Sequence, residues 1–578
     1  MKIDLTLIPF SRRGSYMAIS YLNEGRAAKE GLWLRSVREV FRSGPLLLIE
    51  ALRDGSSYAF TDSVAADHLS LAVDGGGSID ITYDGPNCVR FLVQGCTLRL
   101  SSPGGGVGEG ANIAGASNVS QITPAGAGMW RAVMGMASTY TVQQLQGTIQ
   151  VAADWGGRGS TNNIITADGD CTAAELAISE GDGLELMRAS DRDFAACVAD
   201  SGNSFSAFKT AQLPHPGEYA EACELAAYLN WSCLVAAEGF LKRESMLMSK
   251  NWMTAVWSWD HCFNALALRQ GDPELAWNQF LTQFDHQNEQ GSLPDLVSVR
   301  TMIRAYVKPP IHGWTFKQLW DAAPDFYTNE RLIEVYQKLE AWTQFWLKYR
   351  DPYNTGLPVY YHGNDSGWDN STSFLAGSPL TSPDLPAFLV LQMDTLAKIA
   401  EAIGKVELAR DWRTKATELL DLLLAELWQD GKWQVFAPAA PTSRPAPRAD
   451  SLLPYVALVL GERLPRDVLD ASVQQLAEDG RFLTAHGLAT ESVSSPFYED
   501  DGYWRGPIWA PSSMLIIDGL ARAGKTELAT RLSRSFCDMC KAYGLAENYD
   551  AQTGVGLRDR GYTWTASVFL ELASRLTE

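Results

Sequence analysis

A change of hydrophobic period after Pro214-His215-Pro216 is the feature that most limits how this chain can fold. Before that point, short apolar runs are separated by turn residues; beyond it, apolar residues recur at helical spacing. The first helical stretch predicts one long amphipathic helix over residues 218–240. Further helices are predicted at 332–346, 385–403, 406–428, 512–523, 527–543 and 565–576.

Roughly a dozen helices are expected in all, joined alternately by short turns and long loops. That alternation is typical of an α/α toroid, in which the long loops gather at one end. Gly404 and Gly524 directly follow two of the helical runs, where a left-handed residue commonly ends a helix. The long loops are 249–264, 286–314, 350–380, 480–510 and 544–563, and function is often carried by loops on a rigid scaffold.

The amino-terminal part of the chain has the pattern of β structure. Apolar stretches such as 46–50, 88–93 and 147–151 are separated by Gly, Ser and Asp turns, which favours an antiparallel sandwich. A chain of 578 residues is also longer than one hydrophobic core usually supports. We therefore expect a β-sandwich domain over 1–205 and a helical domain over 206–578.

Two segments of unusual composition are interpreted as loops. The run 104–110 is rich in glycine but lacks the Lys-Ser/Thr pair that grips phosphate, so it predicts a loop rather than a nucleotide site. The stretch 438–447 is rich in proline and alanine and is expected to be a surface excursion within the helical part.

Composition limits the partners. The net charge of −20 disfavours nucleic acid and anionic membranes, because both are bound through clustered Lys and Arg. No apolar run approaches the ~20 residues of a membrane-spanning helix, and the first ten residues lack a secretory pattern, so a cytoplasmic location is expected. Most of the nine cysteines lie in apolar contexts, and Cys537 and Cys540 have no second pair beside them. We expect no metal, no cofactor and a small uncharged ligand.

Two short segments carry carboxylates suited to acid and base chemistry. Asp369 lies in segment 364–371 and Glu547 in segment 546–550, 178 positions apart. Cleaving a glycosidic bond requires one group that protonates the leaving oxygen and another that deprotonates water. Inverting enzymes hold these carboxyls roughly 6.5–9.5 Å apart and retaining enzymes about 5–5.5 Å apart. The ring of Trp368 beside Asp369 could keep that acid protonated, because an apolar surrounding disfavours the charged form.

Other carboxylates compete for these roles. Asp365 lies four residues before Asp369 and is interpreted as a structural, turn-capping residue. Glu499, Asp500 and Asp501 are adjacent like charges, which more often form a solvated loop. Asp369 is therefore the predicted acid and Glu547 the predicted base.

The motifs in the long loops resemble those of the inverting α-glycosidase clan that includes trehalases and glycoside hydrolase family 63. That family contains the processing α-glucosidases and mannosylglycerate hydrolases. The resemblance covers about residues 215–578, and family 63 fits better than trehalase because Asn-Ser follows Asp369. The matching motifs, in chain order, are Trp-Ser-Trp-Asp-His at 257–261, Pro-Pro-Ile-His-Gly-Trp at 309–314, Asp-Ser-Gly-Trp-Asp-Asn-Ser at 365–371, Tyr-Trp-Arg-Gly-Pro-Ile-Trp at 503–509 and Glu-Asn-Tyr-Asp at 547–550.

The resemblance implies an (α/α)6 barrel with Asp369 as general acid and Glu547 as general base. It also implies that Asp260 and Arg505 hold hydroxyls of the terminal sugar. Aromatic residues would line the pocket, where the apolar face of a sugar can pack against indole. The full set of expected substrate-binding residues is Trp257, Trp259, Asp260, His312, Trp314, Trp368, Trp504, Arg505 and Trp509. Lys308 or His312 could serve an anionic aglycone at the rim, and Lys308 could equally be a surface residue.

The predicted function is therefore an inverting, exo-acting glycoside hydrolase that releases a terminal α-linked sugar, preferably glucose, from a short oligosaccharide or small glucoside. Hydrolysis of mannosyl- or glucosylglycerate is one alternative. An inverting disaccharide phosphorylase is another, although phosphate would replace the activated water and leave no role for Glu547. A sugar epimerase would use histidine pairs, for which only His261, His312 and His486 lie in the proposed loops. A non-catalytic sugar-binding protein would not need two carboxylates.

Overall fold

The computed structural model describes residues 1–41, 44–102, 120–134, 138–155, 159–181, 185–438 and 449–577. The glycine-rich run 104–110 and almost all of the stretch 438–447 lie outside the described residues. The chain divides into two compact units. The first comprises Met1–Thr210, Trp231–Ala236 and Ser249–Thr254, and the second comprises Ala211–Asn230, Ala237–Met248 and Ala255–Glu578.

The first unit is built from β-strands, as the turn-punctuated apolar runs predicted. Its strands are β1 (Met17–Leu22), β2 (Gly31–Ser36), β3 (Pro45–Arg53), β4 (Ser56–Tyr58), β5 (Phe60–Val64), β6 (Leu69–Val73), β7 (Ser78–Tyr83), β8 (Cys88–Gln94), β9 (Thr97–Ser101), β10 (Ser120–Gly126), β11 (Met129–Met134), β12 (Thr139–Gln146), β13 (Thr148–Trp155), β14 (Ser160–Asp168), β15 (Ala174–Gly181) and β16 (Leu234–Val235).

Strands β1 to β15 form two antiparallel sheets around one core. One sheet has the order β1-β2-β3-β9-β14-β13, with β4 beside β3, and the other has the order β10-β11-β12-β15-β8-β7-β6-β5. Buried residues of both sheets, such as Leu34, Leu98, Phe91 and Ile178, belong to a single apolar cluster. Alternation of buried and exposed side chains along the strands makes this packing possible.

Two predicted boundaries are wrong in detail. Helix α1 (Phe194–Thr210) begins inside the region interpreted as β, and it buries Cys197, Phe205 and Phe208 at helical spacing. The helix predicted over 218–240 is shorter: a 3-10 turn at Gly217–Tyr219 leads into α2 (Ala220–Cys233), and the chain is then extended. The carbonyl of Leu234 accepts a hydrogen bond from the Gly14 amide at 2.8 Å, so strand bonding replaces the helix there.

The second unit is helical, and with the β-rich first unit it confirms the predicted order of structure along the chain. Its helices are α3 (Asp260–Leu268), α4 (Pro273–Leu281), α5 (His312–Ala322), α6 (Asn329–Tyr349), α7 (Gly363–Ser366), α8 (Asp384–Ala402), α9 (Val406–Leu427), a 3-10 segment at Leu453–Arg463, α10 (Arg466–Leu476), α11 (Ala510–Arg522), α12 (Thr526–Tyr543) and α13 (Thr563–Arg575).

Helices of the second unit differ in how many of their faces are buried. Helices α3, α8, α11 and α13 bury almost every residue, whereas α6, α9 and α12 bury one stripe. A helix that is apolar all round belongs in an interior, and an amphipathic one covers it. Packing follows this division: α3 contacts α5 and α13, α5 contacts α8, α8 contacts the 3-10 segment, and α11 contacts that segment and α13.

Short strands order the long loops of the second unit. They are β17 (Ser245–Met246), β18 (Val256–Trp257), β19 (Leu296–Val297), β20 (Met302–Ile303), β21 (Trp428–Gln429), β22 (Lys432–Trp433), β23 (Ile508–Trp509), β24 (Asn548–Tyr549) and β25 (Gly556–Leu557). Two three-stranded sheets, β18-β19-β20 and β23-β24-β25, join loops that are far apart in the sequence. They bring the motif-bearing segments into fixed positions.

Candidate active site

The loop that carries Asp369 is held in place by a close approach of two motifs. It follows the single helical turn of α7, whose last residue leads into Gly367 at φ +74°. A side chain at Gly367 would meet the indole of Trp259 at 2.5 Å, so only glycine fits. The loop then buries Trp368 and leaves the Asp369 side chain 36% exposed. Asp369 is thus rigidly placed yet open to a ligand.

Asp365, four residues earlier, joins three neighbouring segments. One carboxylate oxygen accepts from the Val307 amide at 3.1 Å. The other accepts from the Arg350 guanidinium at 2.8 Å and from the Tyr361 amide at 2.9 Å. These contacts occupy both oxygens, which favours the structural interpretation of Asp365.

Glu547 directly precedes β24 and is almost completely buried. Its amide donates to the Asp559 carbonyl at 2.7 Å, and its carboxylate accepts from the Asp559 amide at 3.4 Å. Strand β24 pairs with β23 through Trp509 and Asn548, which connects Glu547 to the 503–509 motif. Burial, together with the nearby carboxylate of Asp559, raises the pKa of Glu547 to about 8. The rival residues Glu499, Asp500 and Asp501 are exposed.

Asp260 links the two proposed catalytic groups electrostatically. It is the first residue of α3 and is buried. Burial raises its pKa to about 8, with Asp295 and Asp369 adding to the rise and Lys308 opposing it. The charge of Asp260 also raises the pKa of Glu547.

Tyr503 lies where these carboxylates converge, and the sequence did not single it out as a site residue. Its pKa is well above the ordinary value because of burial and because of Glu547, Asp369 and Asp260, in that order. All three carboxyls are therefore close enough to the phenol of Tyr503 to interact with its charge. Tyr503 also has φ +64°, a strained conformation of the kind found at functional sites.

A buried charge pair lies beside Asp369. The ammonium of Lys308 is 3.7 Å from Asp369 Oδ1 and 3.4 Å from Asp295 Oδ1. Although burial lowers the pKa of Lys308, Asp369, Asp295 and Asp260 together raise it above its ordinary value. The alternative that Lys308 is a surface residue is therefore wrong, because the side chain is only 5% exposed. No motif pointed to Asp295.

Five tryptophans form one wall through mutual packing. The rings of Trp504 and Trp509 stack with centroids 3.9 Å apart, and Trp368 lies 4.7 Å from Trp504. Trp259 and Trp564 meet edge to face at 5.9 Å, and Trp564 also meets Trp509. Trp564 was not predicted, since it lies just inside α13 and outside every motif. Because all five rings are nearly fully buried, their main partners are one another.

Arg505 joins the acid-bearing loop to the 502–505 segment. Its Nε donates to the Asn370 carbonyl at 2.7 Å. Asn370 in turn donates to the Gly502 carbonyl at 3.0 Å and accepts from the Trp504 amide at 2.9 Å. The guanidinium is thus bonded to the residue that follows Asp369 in the chain. Trp257, in the first of the matched motifs, is buried.

His312 and Trp314 are used in helix packing. The indole of Trp314 donates to Asp518 at 2.8 Å, in an ion-pair network with Arg522. His312 is buried among aromatic rings, and its Nδ1 accepts from the Trp342 indole at 3.2 Å. Neither residue contacts the carboxylate cluster through these polar atoms, and the sugar contacts expected of both stay predictions.

The described residues contain one group of side chains with metal-like spacing, namely His261, Cys262 and His312. A metal ligand must offer a lone pair. Because Nδ1 of His312 already accepts from Trp342, the neutral ring carries its proton on Nε2 and has no second lone pair to give. His261 also bonds through Nδ1 to the Trp257 carbonyl at 3.0 Å. The donor set does not fit a metal.

The sequence profile of the mannosylglycerate hydrolase MGH1-like glycoside hydrolase domain matches residues 253–565. This chain belongs to that glycoside hydrolase family. The family 63 resemblance inferred from the loop motifs is thereby confirmed, and the chain is a glycoside hydrolase. The matched range contains every site residue predicted from the sequence.

Individual relatives agree with this assignment. The mannosylglycerate hydrolase of Thermus thermophilus is 24% identical over 390 residues, which cover 54% of this chain and 93% of that protein. Among solved structures, a GH63 mannosylglycerate hydrolase of Thermus thermophilus in complex with glucose has a TM-score of 0.51 at 23% identity, over 61% of this chain and 98% of that one. A bacterial glucoamylase complexed with acarbose has a TM-score of 0.59 at 12% identity, over 99% and 95% of the two chains. At such identities the structural likeness concerns the fold.

Among the residues that the structure describes, no helix is both long and apolar enough to cross a bilayer.

Proposed function

We propose that this glycoside hydrolase removes a terminal α-linked sugar from a small glycoside with inversion of configuration. The observation that carries the proposal is the convergence of Asp260, Asp369 and Glu547 on Tyr503 in a member of this family. Such a site holds an exposed carboxyl and a buried one, which suits two opposite proton transfers.

Asp369 is the proposed general acid, because it is the most open of the three carboxyls and can reach a leaving oxygen. Glu547 is the proposed base that deprotonates water. Asp260 and Arg505 are proposed to bind hydroxyls of the sugar. The wall of Trp259, Trp368, Trp504, Trp509 and Trp564 is proposed to hold these loops in position and to offer an apolar edge to the ring.

The scaffold is proposed to be an (α/α)6 barrel. The closed succession of contacts from α3 through α5, α8, the Leu453–Arg463 segment, α11 and α13 back to α3 supports six inner helices. The amphipathic helices α6, α9 and α12 would then form part of an outer layer. The division into two domains near residue 205 is likewise part of the proposal.

The aglycone is proposed to be small, with glycosylglycerate as the first candidate beside short α-glucosides. Several relatives are named mannosylglycerate hydrolases, and the aglycone of mannosylglycerate carries a carboxylate. Because the acid protonates the oxygen that leaves with the aglycone, the aglycone must lie on the Asp369 side. Arg505 stands on that side, and with an anionic aglycone its terminal N–H groups would pair with the carboxylate instead of with a sugar hydroxyl. Glucose remains the proposed sugar, with mannose as the alternative.

Proton NMR during early turnover tests the proposal. The purified chain is incubated with α-glucosylglycerate, α-mannosylglycerate and short α-linked glucosides, and the first anomer released is recorded. We expect the β anomer from at least one substrate. Release of the α anomer would mean retention and would remove the water-activating role from Glu547, and a chain inactive on the whole panel would refute the substrate class. Asp369→Asn is the negative control, since it keeps the side-chain volume.

A further inference from the structure

The buried ammonium of Lys308 has one N–H group that makes no short hydrogen bond. Lys308 carries three N–H donors. Two of them go to Asn364, one to its backbone carbonyl at 2.7 Å and one to its side-chain oxygen. The nearest remaining acceptors are Asp295 Oδ1 at 3.4 Å and Asp369 Oδ1 at 3.7 Å. Both distances are longer than a strong charge-assisted hydrogen bond, so the third N–H is shared between two carboxylates.

Asp295 is held rigidly opposite this ammonium. Its amide donates to the Ile303 carbonyl at 2.8 Å, and its carbonyl accepts from the Ser258 amide at 3.0 Å. The residue directly precedes β19, and apart from the long contact with the Lys308 ammonium at 3.4 Å its Oδ1 makes no hydrogen bond with any of the described residues. A buried carboxylate oxygen without a hydrogen bond is costly and suggests a functional reason.

We propose that Lys308 and Asp295 act as a positioning pair for Asp369, in which Lys308 favours the ionised carboxyl and Asp295 favours the protonated one. The proposal rests on the acid role of Asp369 proposed above. A general acid must be protonated when the substrate binds, yet a cation 3.7 Å away works against this. The fixed negative charge of Asp295 offsets that effect while the ammonium still orients the carboxyl.

Other charged and titratable groups face this pair. Asp260 at the start of α3 interacts with Lys308, Asp295 and Asp369. Asp365 adds a smaller repulsion at Asp295, and Tyr503 faces Asp369 from the 503–509 motif. A change at Lys308 or Asp295 also moves the titration of Asp260, so the substrate-free measurement described below is repeated in an Asp260→Asn background, where opposite displacements isolate the pair.

The test compares the pH profile of kcat/KM for wild type, Lys308→Gln and Asp295→Asn on the best substrate of the panel. A charge within about 4–6 Å typically shifts the pKa of a carboxyl group by about 1–3 units. We therefore expect the limb that reports Asp369 to move up by about one pH unit in Lys308→Gln and down by a similar amount in Asp295→Asn. A purely structural role would lower activity in both variants without opposite shifts. Lys317→Gln, on the exposed side of α5, is the matched control with no shift.

Two outcomes overturn the proposal, namely shifts in the same direction and no shift in either variant. If Lys308→Gln does not fold, the nearly isosteric Asp295→Asn still decides it by the sign of its shift. A second measurement needs no substrate: the difference in Tm between each variant and the same variant with Asp369→Asn, followed across pH, reports when Asp369 ionises. Opposite displacements of that difference support the pair even if no glycoside is cleaved, in which case only the proposed function fails.

Discussion

The two sides of the candidate site place similar carboxyls in opposite surroundings. Asp369 is 36% exposed and has a buried ammonium 3.7 Å away. Glu547 is nearly fully buried and has the like charge of Asp559 beside it. An opposite charge favours ionisation, whereas burial and a like charge disfavour it. For Glu547 these surroundings therefore oppose the proposed role, because a base must be ionised when the substrate binds.

This difference affects the base more than the acid. With a pKa of about 8, Glu547 is ionised in only about a tenth of empty molecules at pH 7. The ionised fraction is, however, a stronger base than an ordinary glutamate, because proton affinity rises with pKa. Burial thus makes the ionised form of Glu547 rarer but more reactive. Arg558 lowers the pKa of Glu547 and so keeps a larger fraction of it ionised.

The largest effect is expected from removing either catalytic carboxyl. Asp369→Asn and Glu547→Gln should each lower kcat by about 10²-fold or more, since general acid/base catalysis contributes typically 10²–10⁴-fold. The exposed residue Glu499 supplies the control, and Glu499→Gln should keep activity within a few-fold of wild type. Steady-state kinetics decide the matter. The comparison breaks down if Glu499→Gln loses activity and Glu547→Gln does not.

A smaller effect is expected from pH. Glu547 and Asp260 both have pKa values raised to about 8, so the proton that blocks the base is lost as pH rises through that value. On an α-glycosyl fluoride, whose leaving group does not need protonation by the acid, we expect kcat/KM to rise about tenfold per pH unit below the limb, from pH 6 towards pH 8. A profile that is already flat at pH 6 would show that Glu547 is ionised there. The profile is measured with pre-incubation controls for stability at each pH.

The acid side can be tested through its glycine. Gly367→Ala should cost about 1–3 kcal/mol of backbone strain, plus the displacement of the Trp259 indole that lies 2.5 Å from the added carbon. Gly404→Ala has a similar φ of +76° with nothing within 4 Å, so it measures the strain alone. We expect both variants to unfold at lower denaturant concentration, but only Gly367→Ala to lose activity. Equal activity in the two variants would mean that Trp259 does not position the acid-bearing loop.

Sequence periodicity was sufficient to predict the β-rich and helical parts, because the spacing of apolar residues is a local property. The same argument explains where it failed. Residues 234–240 continue an apolar run after α2, and periodicity cannot separate a buried strand from a helix over so short a length. Cys197, Phe205 and Phe208 of helix α1 have helical spacing, but most of this segment was assigned to the β domain that precedes it.

Site residues that lie in a sequence motif could be predicted. Site residues whose surroundings depend on contacts with distant parts of the chain could not. Asp260, Asp369 and Glu547 stand in matched motifs, and the structure groups them. Lys308 looked like a surface lysine because burial of a cation depends on partners, and those partners come from Asn364 and Asp295 in other loops. His312 and Trp314 stand in a matched motif, yet their hydrogen bonds run to Trp342 and Asp518.

The smallest expected effect concerns stability on the base side. The pKa of Glu547 is raised from 4.5 to about 8 in the folded chain, so its protonated form stabilises the fold at low pH. That contribution is complete below about pH 4.5 and is lost as pH rises through about 8. Glu547→Gln cannot ionise and keeps it throughout. We expect the variant to have the same Tm as wild type near pH 5 and a Tm higher by a few degrees at pH 9, on the order of 1 kcal/mol or more. Because Asp260 and Glu547 interact, the comparison is repeated in an Asp260→Asn background, which removes the coupled titration of Asp260. An inactive variant whose Tm advantage does not grow with pH would show that Glu547 is already ionised at low cost, and the contrast between the two carboxyls would then rest on exposure alone.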